Sequence, residues 1–212
     1  MDILYEDKNI VVCKKEVGLN SEHSTSKPSL ANMVQEKYGY AGVIHRLDVN
    51  VGGAIVYAKN KKAAADLSRI VAEGNLNKEY LAVTEGVPEN EGVFKDLLFK
   101  DSSKNKVFVV KRMRKGVKEA SLEYKLLQTV QDDEKSLSLV KIKLHTGRSH
   151  QIRVQFSSRK MPLLGDGKYG SKSNKCTVAL WSYSLGWQND FCISCLPQTK
   201  SYPWNLFCFD KL

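Results

Sequence analysis

Hydrophobic positions along the chain fall mostly into short runs or strict alternation, the spacings of strands, and helical spacing appears in two places. Ile3-Leu4-Tyr5 and Ile10-Val11-Val12-Cys13 predict two strands joined by the polar turn Glu6-Asp7-Lys8-Asn9. Residues 19–29 are polar, rich in Ser and Lys, and read as a loop. Ser29 is placed to cap a short helix with Leu30, Met33, Val34 and Tyr38 on one side and Gly39 at its end. Ala54-Ile55-Val56-Tyr57-Ala58 reads as a buried strand. Asn60 then caps a second helix through Ala64, Leu67, Ile70 and Val71, stopped at Gly74.

Beyond Gly74 the pattern is that of a sheet. Residues 80–84, 107–110, 122–126, 137–144 and 152–156 are all strand-like, and Leu122, Tyr124 and Leu126 alternate cleanly, as do Val140, Ile142 and Leu144. Few helices, many strands and short connections predict an α+β fold on a largely antiparallel, mixed sheet flanked by helices and loops. No linker, repeat or low-complexity tract divides the 212 residues, so one domain over 1–212 is expected.

Composition narrows the setting. No run of about eighteen apolar residues exists to cross a membrane, and the acidic start Met1-Asp2-Ile3-Leu4-Tyr5-Glu6-Asp7 lacks the basic-then-apolar form of a secretory leader. The five cysteines form no even framework, and Cys192-Ile193-Ser194-Cys195 lacks the second ligand pair that a tetrahedral metal site needs. A cytoplasmic protein with plain thiols and no metal is expected.

Charge points to a partner. With 33 Lys+Arg against 23 Asp+Glu the formal net charge is +10, which favours a polyanion because each neutralised phosphate releases condensed counterions. From Lys100 to Lys118 there are eight basic residues and one acid. Val107-Phe108-Val109-Val110 reads as a strand running into Lys111-Arg112-Met113-Arg114-Lys115, with a turn at Gly116. Such a hairpin is either a solvated surface element or one that tracks phosphates, with Lys104, Lys106, Lys111, Arg112, Arg114 and Lys115 as the candidate contacts.

Three segments gather ionisable groups among glycines and strand residues: Gly42 to Asp48 with Gly52-Gly53, Asn77 to Ala82, and Leu144 to Val154. None forms a phosphate-cradling glycine loop, a nucleophilic serine elbow or a zinc spacing. Asp48, beside Arg46 and before a glycine turn, is either half of a structural ion pair or a reactive carboxylate kept charged by a guanidinium, with Arg148 and Arg153 as suppliers.

Taken together the segments resemble the RluA family of RNA pseudouridine synthases. The family's HRLD, followed by a turn with Thr-Ser-Gly, is matched by His45-Arg46-Leu47-Asp48 and Val51-Gly52-Gly53; its Lys-x-Tyr pair by Lys78 and Tyr80; its TGRTHQIR by Thr146 to Arg153; and its GDxxYG by Gly165 to Gly170. The likeness runs from about Leu4 to about Leu185. It implies a cofactor-free enzyme that isomerises uridines of ribosomal or transfer RNA to pseudouridine, flipping the target base into a central cleft; a monomer is the default expectation. Many members carry a small RNA-binding domain ahead of the catalytic one; with the matched motifs beginning almost at Met1, none is expected here. By the same likeness Asp48 is the catalytic carboxylate, acting as nucleophile or base, Tyr80 packs on the uracil, and Arg148 pairs with Asp48. Arg46 inserts into the RNA, and His45, Lys78, Ile152 and Arg153 join Lys111, Arg112 and Arg114 on the substrate side.

Several positions depart from that pattern. Val51 and Gly52 stand for the usual Thr-Ser, Gln155 for a frequent His, Trp181 for the His of a later ALHA-like stretch, and the Lys14-Lys15 pair lacks the usual Pro. A binding or ribosome-assembly protein that keeps the fold without catalysis is the rival reading, since fold and charge would serve it equally. The retained Asp48, Tyr80 and Arg148 favour the enzyme.

Overall fold

The computed structural model describes residues 1–133, 135–187, 191–210 and 212. In chain order the elements are β1 (Asp2–Glu6), β2 (Ile10–Lys15), α1 (Leu30–Tyr38), β3 (Gly42–Val43), β4 (Gly52–Ala58), α2 (Lys61–Ala72), β5 (Asn77–Glu85) and β6 (Glu91–Asp101). They continue as β7 (Lys106–Val110), β8 (Val117–Asp132), β9 (Lys135–Leu144), α3 (Gln151–Ser157), β10 (Leu180–Trp187) and β11 (Phe191–Ser194). The class is α+β, as the strand-rich pattern implied. The chain resolves into two compact units, Met1–Glu79 with Trp181–Pro197, and Tyr80–Leu180 with Gln198–Leu212.

In the first unit the strands run in the order β1-β2-β4-β10, with β3 paired to β4 and β11 to β10. The β1–β2 turn forms where the polar residues placed it: the Asp7 carboxylate accepts the backbone N–H groups of Asn9 and Ile10 at 2.6 and 2.8 Å. Strand β4 is buried at every residue, which is why it reads as a continuous apolar run rather than an alternation. Helix α2 starts on Asn60, whose side chain accepts the Ala63 N–H at 2.9 Å, and lays Ala63 and Leu67 against Val12, Val56, Ala58 and Leu185. Helix α1 starts on Ser29, which accepts the Asn32 N–H, and ends on Gly39 in the left-handed region.

In the second unit the order is β5-β9-β8-β6-β7, and every register resolved between β6 and β9 is antiparallel. Residues 152–156, expected as a strand, belong instead to helix α3. Every residue from Gln151 to Phe156 is buried, so neither a polar stripe nor an alternation marks the segment in the sequence. Helix α3 seats Val154 against Leu98, Val107, Ala120 and Tyr169, and Phe156 against Phe94 and Tyr124 with ring centroids 5.0 and 5.5 Å away. No helix among the described residues is long and apolar enough to cross a membrane.

Candidate active site

In the first unit Asp48 sits half-buried on the segment that joins β3 to β4. The backbone on both sides of it is pinned. The Ser21 hydroxyl donates to the Leu47 carbonyl at 2.9 Å and accepts the Leu47 N–H at 3.2 Å, while the buried Tyr57 hydroxyl fixes Ser21 through its carbonyl at 2.8 Å. After the aspartate, the Val51 N–H closes a turn onto the Asp48 carbonyl at 2.9 Å, and the Gly18 N–H donates to the Val49 carbonyl at 2.8 Å.

Lys15 completes the frame from within. Its side chain is fully buried, and its ammonium donates to the carbonyls of Val51, Glu16 and Val49 at 2.8, 3.1 and 3.3 Å. Burial pulls its pKa down from 10.5 to about 8, a fall that the charges of Asp48 and Glu16 oppose. A carboxylate held on such a turn has its direction set by main-chain bonds rather than by its own rotamer alone.

His45 lies inside the same unit, 9% exposed, with Nε2 accepting the Val56 N–H at 3.3 Å. Burial, with the Lys78 charge added, lowers its pKa to about 3, so the ring is neutral and carries its proton on Nδ1. Through that bond His45 ties the approach to Asp48 onto β4. Lys78, half-buried at the start of β5, is itself pulled down by desolvation. Arg46 turns outward to Glu22, 3.0 Å away, with both side chains more than half exposed.

In the second unit Tyr80 is buried on β5, 6% exposed. The segment before α3 is anchored by Gln151. Its carbonyl oxygen accepts the Thr146 hydroxyl at 2.7 Å and the Arg148 N–H at 3.0 Å, and its amide donates to the Ser121 carbonyl at 3.1 Å. Arg148 is exposed, with Nε donating to the Glu119 carbonyl at 2.9 Å.

His150 takes the left-handed conformation, φ 50°, where the chain enters α3, and its Nδ1 lies 2.8 Å from the Tyr169 hydroxyl. Arg153, 8% exposed, meets the buried Asp166 in a two-point pair, Nε to Oδ2 at 2.7 Å and Nη2 to Oδ1 at 2.8 Å. Ile152 is buried in the same helix. Gln155, one of the departures from the family pattern, is fully buried and donates to Asp96 at 2.7 Å.

The basic stretch does not close the expected hairpin: β7 and β8 both pair antiparallel with β6 and lie on its two sides, so the basic residues sit on the connection that crosses from one to the other. Strand β7 leads into the exposed turn holding Lys111, Arg112, Arg114 and Lys115, and the Arg114 guanidinium lies 4.8 Å from the Phe99 ring centroid. Among the described residues no cluster of three His, Cys, Asp or Glu could hold a metal ion.

A family model described as RNA pseudouridylate synthase matches residues 9–158, a span that holds the Asp48 turn, Tyr80 and the 146–153 segment. The chain belongs to that family. Among the synthase relatives, an uncharacterized RNA pseudouridine synthase of Aquifex aeolicus (strain VF5) is 35% identical over 194 residues, covering 86% of this chain and 60% of that protein. The dual-specificity RNA pseudouridine synthase RluA of Yersinia pestis is also 35% identical, over 84% of this chain and 86% of its own, in keeping with the RluA motifs.

The solved structure titled Human RNA Pseudouridylate Synthase Domain Containing 1 matches with a TM-score of 0.78 over 93% of this chain and 83% of that one. At 24% identity this is a likeness of fold. The chain spans about 60% of the length of several of the curated synthases it matches.

Sequence reasoning missed the frame around the turn. Lys15 drew notice only for the absent proline, Tyr57 only as part of a buried strand and Ser21 only as part of a loop. All three act through backbone carbonyls, which leave no side-chain signature at the partner position. Buried polar groups offered the one usable signal: a lysine inside the apolar run that begins at Ile10 must find acceptors.

Proposed function

We propose that the chain isomerises uridine in RNA to pseudouridine without a cofactor. The observation that carries this is the family match running unbroken through the Asp48 turn and the 146–153 segment. In the reaction the N1–C1′ glycosidic bond breaks, the detached uracil turns, and C5 bonds to C1′. C5 then gives up its proton and N1 gains one, so no atom is lost overall. Asp48 supplies the electron pair, either by attack on C1′ or by taking a proton from C2′. Both routes need an ionised carboxylate held still, and the bonds from Ser21, Gly18 and Lys15 to its flanking residues support that.

Tyr80 stacks on the uracil and assists proton removal at C5, a task suited to a planar ring with a polar tip. Arg148 is the third catalytic residue, a planar guanidinium that carries its positive charge at every working pH. The exposed Arg46 enters the RNA where the target base has left the stack, exchanging a solvent-screened partner worth about 0–1 kcal/mol. Lys111, Arg112 and Arg114 contact phosphates of a ribosomal or transfer RNA.

The test is tritium release from RNA labelled at uridine C5 and taken from the source cell lacking this protein, with no metal or nucleotide added. Wild type releases label and Asp48→Asn does not. If both bind RNA and neither releases label, the enzyme reading fails and the binding-protein reading replaces it.

A further inference from the structure

Gly52 opens β4 directly after the Asp48 turn and lies opposite Trp181 of β10 in parallel register, as Gly53 lies opposite Ser182. A Cβ on Gly52 would sit 2.9 Å from Cε3 of the Trp181 ring, closer still to Cζ3, and 3.0 Å from the Lys15 carbonyl oxygen. Unbonded carbons do not approach so near, so the indole occupies the volume that any side chain at 52 would need. The ring has no room to retreat. It is 4% exposed, and its opposite edge is tied by the Nε1–H bond to the Cys195 carbonyl at 2.9 Å. The next residue closes the same path, because Gly53 has φ +116° and its Cβ would meet the Ser182 backbone nitrogen at 2.6 Å.

These contacts join two departures that stand 129 positions apart in the chain, Gly52 in place of Ser and Trp181 in place of His. We propose that Trp181 is a positioning residue for Asp48: its indole replaces the missing side chain at 52 and fixes the start of β4, and with it the turn from Asp48 to Val51. The role rests on the synthase reading. It makes the two departures one exchange, in which the smaller residue at 52 is required by the larger one at 181.

The test is a double-mutant cycle of Gly52→Ser and Trp181→His, read by steady-state tritium release and by thermal denaturation. Gly52→Ser lowers kcat by at least about tenfold while KM stays within about twofold, because the turn moves and the RNA-binding surface does not. Trp181→His lowers kcat in the wild-type background, where it leaves a cavity beside Gly52, and raises it in the Gly52→Ser background, where it makes room for the new side chain. That reversal of sign is the signature of the pair.

Should Gly52→Ser fail to fold, Gly52→Ala, which adds the Cβ alone, is read in the same way. An active wild type whose two variants simply multiply their losses overturns the positioning role and leaves the synthase reading intact. An inactive wild type sinks the synthase reading and the role with it.

Discussion

Replacing Lys15 by Met tests the electrostatic account of the Asp48 turn through stability alone. The ammonium is fully buried, and its pKa falls from 10.5 to about 8 on folding. At about 1.36 kcal/mol per pH unit, that fall corresponds to about 3 kcal/mol. Between pH 8 and 10.5 the unfolded chain holds the lysine proton and the folded chain has released it, so wild-type stability gains with rising pH from this group. Integrated from pH 7.5 to 10, the gain is about 2 kcal/mol.

Lys15→Met lacks the proton and therefore the gain. Burial raises the pKa of Cys13 to about 12 and pushes Tyr57 upward too, and these groups pull stability the other way at alkaline pH. They are present in both proteins and cancel in the difference. Urea denaturation of the two proteins at half-unit steps over that range, with slopes checked for constancy, gives the difference directly. Curves that stay parallel to within about 0.5 kcal/mol would refute the claim that folding buries a charged Lys15 against its solvation.

Two further outcomes follow from the second unit. Asp166→Ala removes both charge-assisted bonds to the buried Arg153 guanidinium and should cost about 3–5 kcal/mol, seen as a lower urea midpoint; a loss under about 1 kcal/mol would mean that the pair contributes little. Replacing Lys111, Arg112, Arg114 and Lys115 together by Ala should flatten the salt dependence of RNA binding by about 3 in the log–log slope, given about 0.7–0.9 per phosphate contact. An unchanged slope would remove the β7–β8 connection from the docking surface.

What could be read in the sequence was whatever acts locally. Ser29 and Asn60 cap helices because each accepts an N–H three residues on, and the Asp7 turn closes within four residues. The motif residues Asp48 and Gln151 were legible for the same reason, standing in short contiguous signatures. Strand β6 was missed because its charged residues, Glu91, Lys95, Asp96, Lys100 and Asp101, break the alternation. Helix α3 was mistaken for a strand because burial on all sides erases the period that separates the two. The buried pair of Arg153 and Asp166 was hidden by distance along the chain, since the GDxxYG segment reads as a glycine turn and does not show its partner across 13 residues. Electrostatic frames of this sort form only once the fold has excluded water.

The way the Asp48 turn is held has a consequence for how such a chain drifts over generations. Its anchors grip carbonyl oxygens at Leu47, Val49 and Val51, atoms that every amino acid carries. Val49 and Asn50 themselves face solvent. Mutation at those two positions is therefore nearly invisible to the geometry, while replacing Ser21 or Lys15 removes the bonds that hold it. A lineage can rewrite the letters beside its reactive aspartate and still inherit the same turn.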